Sequence, residues 1–189
     1  MAAMYQDEIF EEKDLPLKMV GISPCFRREI GAHGLDSRGL FRVHQFTKVE
    51  QFIYCMPEKS WEMHEELLAN SEELFSKLGL PYHVVNICTG DIGIVAAKKY
   101  DIEAWMPRDN AYREVVSCSN CTAYQACRLN IRVRDAHDFD SKRYLHTLNS
   151  TAIATSRALR CILENYQTED GRVEIPEVLR PYMQGREFL

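Results

Sequence analysis

Short segments in which apolar and polar residues alternate recur along most of the chain, and Gly, Pro or Asn separate many of them. Such segments are typical of β-strands, because successive side chains of a strand point to opposite faces of a sheet. A parallel sheet would need a helical crossover after nearly every strand, and the pattern has too few helices for that. The pattern therefore predicts an α+β protein with a mainly antiparallel sheet. The predicted strands are residues 17–22, 82–88, 102–106, 112–119, 129–134 and 144–148.

Helical periodicity occurs in two longer segments. Between residues 61 and 78, large side chains recur every three or four positions, and the Gly-Leu-Pro sequence at 79–81 ends the pattern. The second segment covers residues 152–166, and residues 149–151 supply polar side chains that can cap its start. Residues 1–10 are also compatible with a helix. We expect the 61–78 helix to lie on the sheet as part of the scaffold.

Residues 26–50 combine many charged side chains with Gly31, Gly34 and Gly39. Two alternating segments around these glycines predict an antiparallel hairpin with a long loop, which Pro24 separates from the preceding strand and whose return strand continues to Tyr54. By the two-residue repeat, the side chains that share a face are Arg27 with Glu29, and Arg42 with His44, Phe46, Lys48 and Glu50. This mixture of groups favours a ligand-binding face, and the alternative is an edge hairpin with solvated charges.

Composition and charge narrow the class of protein. The 189 residues are enough for one domain with a substantial core. A net charge of −5 gives no general attraction for nucleic acid, so such binding would need a local patch. Seven irregularly spaced cysteines are typical of reduced thiols, and no apolar run approaches the ~20 residues of a membrane span. The sequence therefore predicts a soluble, cytoplasmic protein that makes no membrane contact.

Glu114 and Ser117 are candidate ligands of Mg²⁺, which binds few protein oxygens and takes its other ligands from phosphate and water. They are three positions apart on a predicted strand, so they face opposite sides unless the strand bends. Arg157 lies in an otherwise apolar helical segment, where a buried charge needs an anionic partner. That anion is either a ligand or a carboxylate of the fold itself.

Cys118 and Cys121 form a CxxC pair, with Cys127 close behind. A structural zinc site needs four nitrogen or sulfur ligands, and no second pair stands at a matching spacing, so we expect no structural zinc. A redox role would require the pair to open a helix in a βαβ unit, whereas this pair lies among predicted antiparallel strands.

Four segments in order together resemble the catalytic domain of seryl-tRNA synthetases, which are class II aminoacyl-tRNA synthetases. They are CFRRE at residues 25–29, RGLFRVHQFTKVEQF at 38–52, EVVSCSNCT at 114–122 and HTLNSTAIATSRALRCILENYQ at 146–167. The third motif of the class has the sequence NSTAIATSR here, which is similar to archaeal and eukaryotic forms. The resemblance extends over residues 5–182 and implies the class II synthetase fold, a mainly antiparallel sheet flanked by helices.

The resemblance also implies that residues 1–189 form one partial catalytic domain. Three features of the family have no counterpart in the sequence: the first class motif, the N-terminal coiled-coil arm and a Thr-Ala-Glu loop that binds serine. We therefore expect an N-terminally truncated catalytic domain.

Residue roles follow from the same resemblance. Arg27 is similar to the arginine on the α-phosphate of ATP, Arg157 to the arginine on the γ-phosphate, and both are expected to be catalytic. Phe46 is similar to the ring that stacks on adenine. The expected ATP-binding residues are Arg27, Arg28, Glu29, Arg42, Phe46, Glu114, Val115, Val116, Ser117 and Arg157. The expected serine-binding residues are Glu50, Asn149 and Thr151, and the expected Mg²⁺ ligands are Glu114 and Ser117.

The implied reaction is the ATP- and Mg²⁺-dependent activation of L-serine to seryl-adenylate and its transfer to tRNA(Ser), in a family whose full-length members are homodimers. Ala123 and Cys127 stand where the family usually has Asp and Arg. One alternative is a catalytically silent fragment or paralogue that retains nucleotide binding or a partner-binding role. Another is a relative that loads amino acids onto a carrier protein. Such relatives use a zinc-bound amino group, and Glu50 with Thr151 favours a serine pocket instead.

Overall fold

A computed structural model describes residues 1–29, 39–134 and 142–189 of the chain. Its strands are β1 (Ile9–Glu11), β2 (Leu17–Phe26), β3 (Gln45–Cys55), β4 (Tyr82–Asn86), β5 (Lys98–Met106), β6 (Ala111–Asn120), β7 (Arg132–Arg134), β8 (Lys142–Tyr144) and β9 (His146–Ala154). Its α-helices are α1 (Ser60–Lys77), α2 (Tyr124–Leu129) and α3 (Thr155–Asn165). Short 3₁₀ segments occur at Ala2–Tyr5, Glu12–Asp14, Pro57–Lys59, Pro107–Asp109 and Glu177–Met183.

Within the described ranges, the larger sheet has six strands in the order β2-β3-β9-β6-β5-β4, and every neighbouring pair is antiparallel. A smaller sheet has the order β1-β7-β8, in which β1 and β7 are parallel. The predicted α+β class with a mainly antiparallel sheet is therefore confirmed.

Two apolar clusters hold the sheet in place. One lies between the larger sheet and α1 and includes the fully buried Phe75, Ile102 and Leu148. The other joins Tyr54 of β3 to Leu145 and to side chains from the start of the chain. Burial of one such large side chain contributes roughly 1.5–3 kcal/mol, so these clusters fix β3, β6 and β9 relative to one another.

Helical periodicity located α1 well, because the predicted segment 61–78 is shifted by one residue from the observed Ser60–Lys77. The first ten residues are different from the prediction. They form a 3₁₀ turn and then β1, which pairs with β7, while Tyr5 and Phe10 pack against Tyr54. The predicted strand 129–134 is shortened to β7, since Leu129 ends α2.

The predicted hairpin at residues 26–50 is only partly correct. Pro24 does not interrupt the first strand: β2 continues through it to Phe26, which is possible because β2 is an edge strand and a proline there need not donate to a neighbour. Arg27 and Glu29 lie beyond β2, and the return strand begins at Gln45, after Arg42. The two-residue repeat therefore does not apply to these three side chains or to His44, which also precedes β3. Gly31 and Gly34 of the predicted loop lie outside the described residues.

The start of the last helix was also predicted too early. Asn149, Ser150 and Thr151 do not cap a helix but lie within β9, which pairs with β3 on one side and β6 on the other. These long-range backbone hydrogen bonds hold the segment extended until α3 begins at Thr155. The three side chains therefore lie on the sheet and not at a helix start.

Candidate functional site

One open cleft, with about 640 Å³ of empty space, brings together most of the side chains that the sequence singled out. All thirteen expected ATP- and serine-binding residues line it except Arg28 and Val116. The lining side chains come from β3, β6, β9, α3 and the segments on either side of residues 30–38.

A β-bulge in β6 places Glu114 and Ser117 on the same side of the sheet. Ile102 of β5 pairs with Val116, but the next residue, Glu103, pairs with Glu114, so Val115 is an extra residue in β6. An extra residue reverses the alternation of a strand from that point onward. The bend that their three-residue spacing requires is therefore present.

A second bulge organises the other wall of the cleft. Val49 of β3 pairs with Ile153 of β9, whereas Glu50 pairs with Thr151, so Ala152 is the extra residue. Asn149 lies two residues from Thr151 and therefore faces the same side. The bulge thus directs Glu50, Asn149 and Thr151 into one space.

The Glu50 carboxylate accepts three polar contacts. Asn149 Nδ2 donates to Oε1 at 3.2 Å, Thr151 Oγ1 donates to Oε2 at 3.1 Å, and Lys48 Nζ lies 2.7 Å from Oε2. The Glu50 side chain is only 18% exposed, so these donors hold it in a defined orientation towards the cleft.

Arginines dominate another part of the cleft. The Arg27 guanidinium lies 5.4 Å from the ring centre of Phe46, and Arg42 forms an ion pair with Glu29 at 2.7 Å. The hydrogen bond from Arg42 and the charges of Arg42, Arg27 and Arg157 lower the pKa of Glu29 from its ordinary value. Glu29 is therefore ionised at neutral pH and partly balances the positive charge of the cleft.

Arg157 is paired with Glu114. Its Nη1 donates to the backbone carbonyl of Glu114 at 2.7 Å and lies 3.5 Å from the carboxylate. The guanidinium also lies 4.5 Å from the ring centre of Phe41. The sequence left open whether the anionic partner of Arg157 is a ligand or a carboxylate of the fold. Glu114 provides such a carboxylate, and the Arg157 side chain still lines the cleft.

Phe41 is a cleft residue that the sequence reasoning missed. Its side chain is buried, and its ring has the guanidinium groups of Arg157 and Arg160 at 4.5 and 5.4 Å. The sequence signal that could have identified Phe41 is its position as an aromatic residue next to Arg42 in a highly charged segment. Arginine on an aromatic face gains electrostatic attraction, so Phe41 stabilises the position of Arg157.

Arg28 and Val116 occupy other places. Arg28 lines a neighbouring surface hollow with Phe26, Arg27 and His44. The Val116 side chain is buried in the core under the sheet, so only its backbone is available to a ligand.

The two thiols of the CxxC pair donate to different acceptors. Cys118 is fully buried and donates to the backbone carbonyl of His64, and burial raises the pKa of its thiol to about 12. Cys121 donates to Asn149 Oδ1 at 3.6 Å, and burial raises its pKa to about 11. Cys127 is exposed on α2. In the parts of the chain that the structure describes, no three His, Cys, Asp or Glu side chains are grouped to hold a metal ion.

The antiparallel sheet, the two bulges and the arginine-rich cleft define a class of protein. The family model of the tRNA synthetase class II core domain (G, H, P, S and T) matches residues 1–166, and the chain belongs to this family. Among curated relatives, the chain is 90% identical over all 189 residues to a serine–tRNA ligase of Methanocorpusculum labreanum and 79% identical to one of Methanoregula boonei. It spans 44% of the length of each. The resemblance to seryl-tRNA synthetases is confirmed.

Solved structures agree with this assignment. The seryl-tRNA synthetase of Pyrococcus horikoshii complexed with ATP is 64% identical and superimposes with a TM-score of 0.94, over 99% of this chain and 41% of that one. The cytoplasmic serine–tRNA ligase of Naegleria fowleri in complex with AMP is 52% identical, with a TM-score of 0.93, over 99% of this chain and 44% of that one. Among the described residues, no helix combines the length and apolar character needed to cross a membrane.

Proposed function

We propose that this chain supplies the ATP- and serine-binding part of a serine–tRNA ligase, which activates L-serine with ATP and transfers it to tRNA(Ser). One observation carries the proposal: a single cleft contains both a fixed carboxylate, Glu50, and an arginine–aromatic pair, Arg27 with Phe46. Glu50 and Phe46 are four residues apart on β3, which is about 13 Å along a strand. That separation leaves space for an amino acid at one end and a nucleobase at the other. The ATP complex of the Pyrococcus horikoshii relative supports the same use of the cleft.

The chemistry needs no nucleophile from the protein. A carboxylate oxygen of serine attacks the α-phosphorus of ATP, pyrophosphate leaves, and seryl-adenylate forms. A ribose hydroxyl of tRNA then attacks the acyl carbon, and AMP leaves. The protein therefore contributes alignment and neutralisation of the phosphate charge. Arg27 and Arg157 are the proposed catalytic residues because both guanidinium groups line the cleft beside the proposed nucleotide position.

Serine selectivity rests on Glu50, Asn149 and Thr151. We assign the serine ammonium and hydroxyl groups to the Glu50 carboxylate, whose orientation the other two side chains already fix. A site built to hydrogen-bond a hydroxyl rejects an analogue that lacks it by up to ~10⁴-fold, since the buried polar group is then left unpaired. Alanine is therefore expected to be a poor substrate.

The donor set beside the nucleotide position fits Mg²⁺. Glu114 provides a carboxylate that is 48% exposed, and Ser117 provides a hydroxyl on the same side of β6. Two protein oxygens with open space suit a cation that takes its remaining ligands from phosphate and water. When bound, the cation would neutralise phosphate charge.

The proposal includes three further features. They are tRNA(Ser) as the acyl acceptor, a homodimer and a cytoplasmic location. The last is supported by the cytoplasmic relative from Naegleria fowleri. Ala123 and Cys127, which depart from the family pattern, lie at the start of α2 and on it and do not line the cleft, so they leave the proposed activation site intact.

Serine-dependent exchange of pyrophosphate into ATP tests the activation step. The chain should catalyse exchange with serine and much less with alanine, glycine or threonine. The full-length relative from Methanocorpusculum labreanum serves as the positive control. ATP binding without exchange would overturn activation by this chain and favour a silent nucleotide-binding role. Exchange with glycine or alanine together with bound zinc would favour the carrier-loading relatives.

A further inference from the structure

Asp101 is a buried carboxylate next to the cleft that the proposed reaction has not used. It lies on β5 directly opposite Ser117 of β6, so the two side chains share one face of the sheet. Only 7% of the residue is exposed. The Ser117 side chain thus faces the Asp101 carboxylate across the strand pair, and Oδ1 of Asp101 has no hydrogen-bond partner among the described residues.

A buried carboxylate oxygen without a hydrogen-bond partner lowers the stability of the fold unless another charge or ligand compensates it. The nearby charges do not do so. Glu114 and Asp91 repel the carboxylate, and Lys99, the basic side chain that attracts it, directs its Nζ to the Asp91 carbonyl at 2.9 Å. Among the residues that the structure describes, this buried carboxylate therefore forms no ion pair, and it lies directly opposite a proposed cation ligand.

We propose that Asp101 is a positioning residue for the divalent cation: it accepts the Ser117 proton so that a Ser117 lone pair faces the cation, and its charge compensates the cation from the second layer of ligands. The inference rests on the proposed function, because the cation enters with ATP. A serine hydroxyl has one proton and two lone pairs, so the direction of its proton decides whether a lone pair is available to a metal. Such outer partners orient the ligand, and their loss typically weakens metal binding by 10–100-fold.

The Asp101→Asn variant tests this role. The amide keeps the shape of the side chain but removes its charge, and its NH₂ group can donate to Ser117 Oγ and occupy the lone pair that the cation needs. We expect the affinity for Mn²⁺ in the presence of a non-hydrolysable ATP analogue to fall by about 10–100-fold, measured by electron paramagnetic resonance titration of free Mn²⁺. The matched control is Asp170→Asn, the same chemical change at an exposed carboxylate that pairs with Arg172 and does not line the cleft. This control should bind Mn²⁺ like the unmodified chain.

Two further measurements separate positioning from a merely structural role. Without ligand, Asp101→Asn should melt at or above the temperature of the unmodified chain, because it removes an uncompensated buried charge. In a Ser117→Ala background, Asp101→Asn should cause little additional loss of Mn²⁺ affinity, since Asp101 acts through Ser117.

The possible outcomes are distinct. If the unmodified chain bound no Mn²⁺ with the ATP analogue, the proposed function would be overturned, and this inference with it. If the unmodified chain bound Mn²⁺ and Asp101→Asn bound it equally well, only the inference would be overturned. A melting temperature of Asp101→Asn several degrees below that of the unmodified chain would make Asp101 a folding determinant and would also overturn the inference.

Discussion

Glu50 shows how single residues define the serine end of the cleft. Its two oxygens accept from Asn149 and Thr151, which are about a hundred positions away in the chain, and pair with Lys48 two positions before it. None of these donors alone marks a serine site. Together they leave a partly buried carboxylate with a fixed direction, which is the property that recognition of an ammonium and a hydroxyl requires.

Replacement of Glu50 by Gln should impair serine use specifically. Asn149 and Thr151 donate to different oxygens of Glu50, and glutamine has an acceptor oxygen at only one of these two positions. Glutamine also lacks the charge that pairs with an ammonium. We expect the KM for serine in the exchange assay to rise by about 10–150-fold, which corresponds to ~1.5–3 kcal/mol for a hydrogen bond to a charged group. ATP affinity should stay unchanged. An equal loss of ATP affinity would show that Glu50 supports the whole cleft rather than the serine end.

The Glu29–Arg42 pair gives a pH-dependent contribution to stability. Because the hydrogen bond from Arg42 lowers the pKa of Glu29 below its ordinary value of 4.5, the ionised form stabilises the folded state. This contribution is fully present above pH 4.5 and is lost as the pH falls through the lowered pKa of the folded state. The free energy of unfolding should therefore fall more steeply below pH 4.5 for the unmodified chain than for Glu29→Gln. Parallel curves in urea denaturation at each pH would contradict this expectation.

Helix α3 is fixed to the sheet by buried charges as well as by apolar contacts. Arg160 of α3 reaches Asp109, in the 3₁₀ turn between β5 and β6, at 2.8 Å, and pairs with Glu164 at 2.6 Å. Asp109 also accepts from Arg113 at 3.1 Å. These links hold the helix that carries Arg157 against the strand that carries Glu114, so they support the cleft from behind.

Asp109→Asn should therefore destabilise the fold. The Arg160 and Asp109 side chains are only 10% and 8% exposed, and the substitution leaves a buried guanidinium with one carboxylate partner. We expect the free energy of unfolding to fall by about 1.5–3 kcal/mol. The control is Asp170→Asn, where the Arg172 pair is 54% exposed on both sides and the expected loss is much smaller, because solvent screens the pair. Equal losses in the two variants would show that burial of the Arg160 pair is not the deciding factor.

At the scale of the elements, a helix with a local packing pattern could be predicted more accurately than a boundary that depends on strand pairing. Helix α1 was located within one residue because its packing face is encoded locally, at three- and four-residue spacing. The start of α3 was missed because β9 pairs with β3 and β6, and those partners are distant in sequence. Long-range hydrogen bonds can override local cap signals, and residues 149–151 are such a case.

For the whole molecule, ligand binding should appear as added stability. Mg²⁺-ATP at 100 times its Kd should raise the free energy of unfolding by about 2.7 kcal/mol. For a chain of this length, that corresponds to an increase in Tm of roughly 5–11 °C. Differential scanning fluorimetry with ATP, and with GTP at the same concentration as the control, measures the effect. Phe46→Ala should reduce the shift, whereas an identical shift with GTP would argue against a selective adenine site.

The sequence by itself determined the α+β class, the position of α1 and the identities of most cleft residues, because alternation, periodicity and ordered motifs are local properties of a chain. Only the tertiary structure decided which of these side chains meet. The extra residues Val115 and Ala152 turn Glu114 towards Ser117 and Thr151 towards Glu50, and neither bulge has a local sequence signal. The pairing of Asp101 with Ser117, and the contact of Phe41 with two arginines, likewise depend on strand register and helix packing. Register is fixed by contacts between residues far apart in the chain, so the geometry of the site exists only once the sheet has formed.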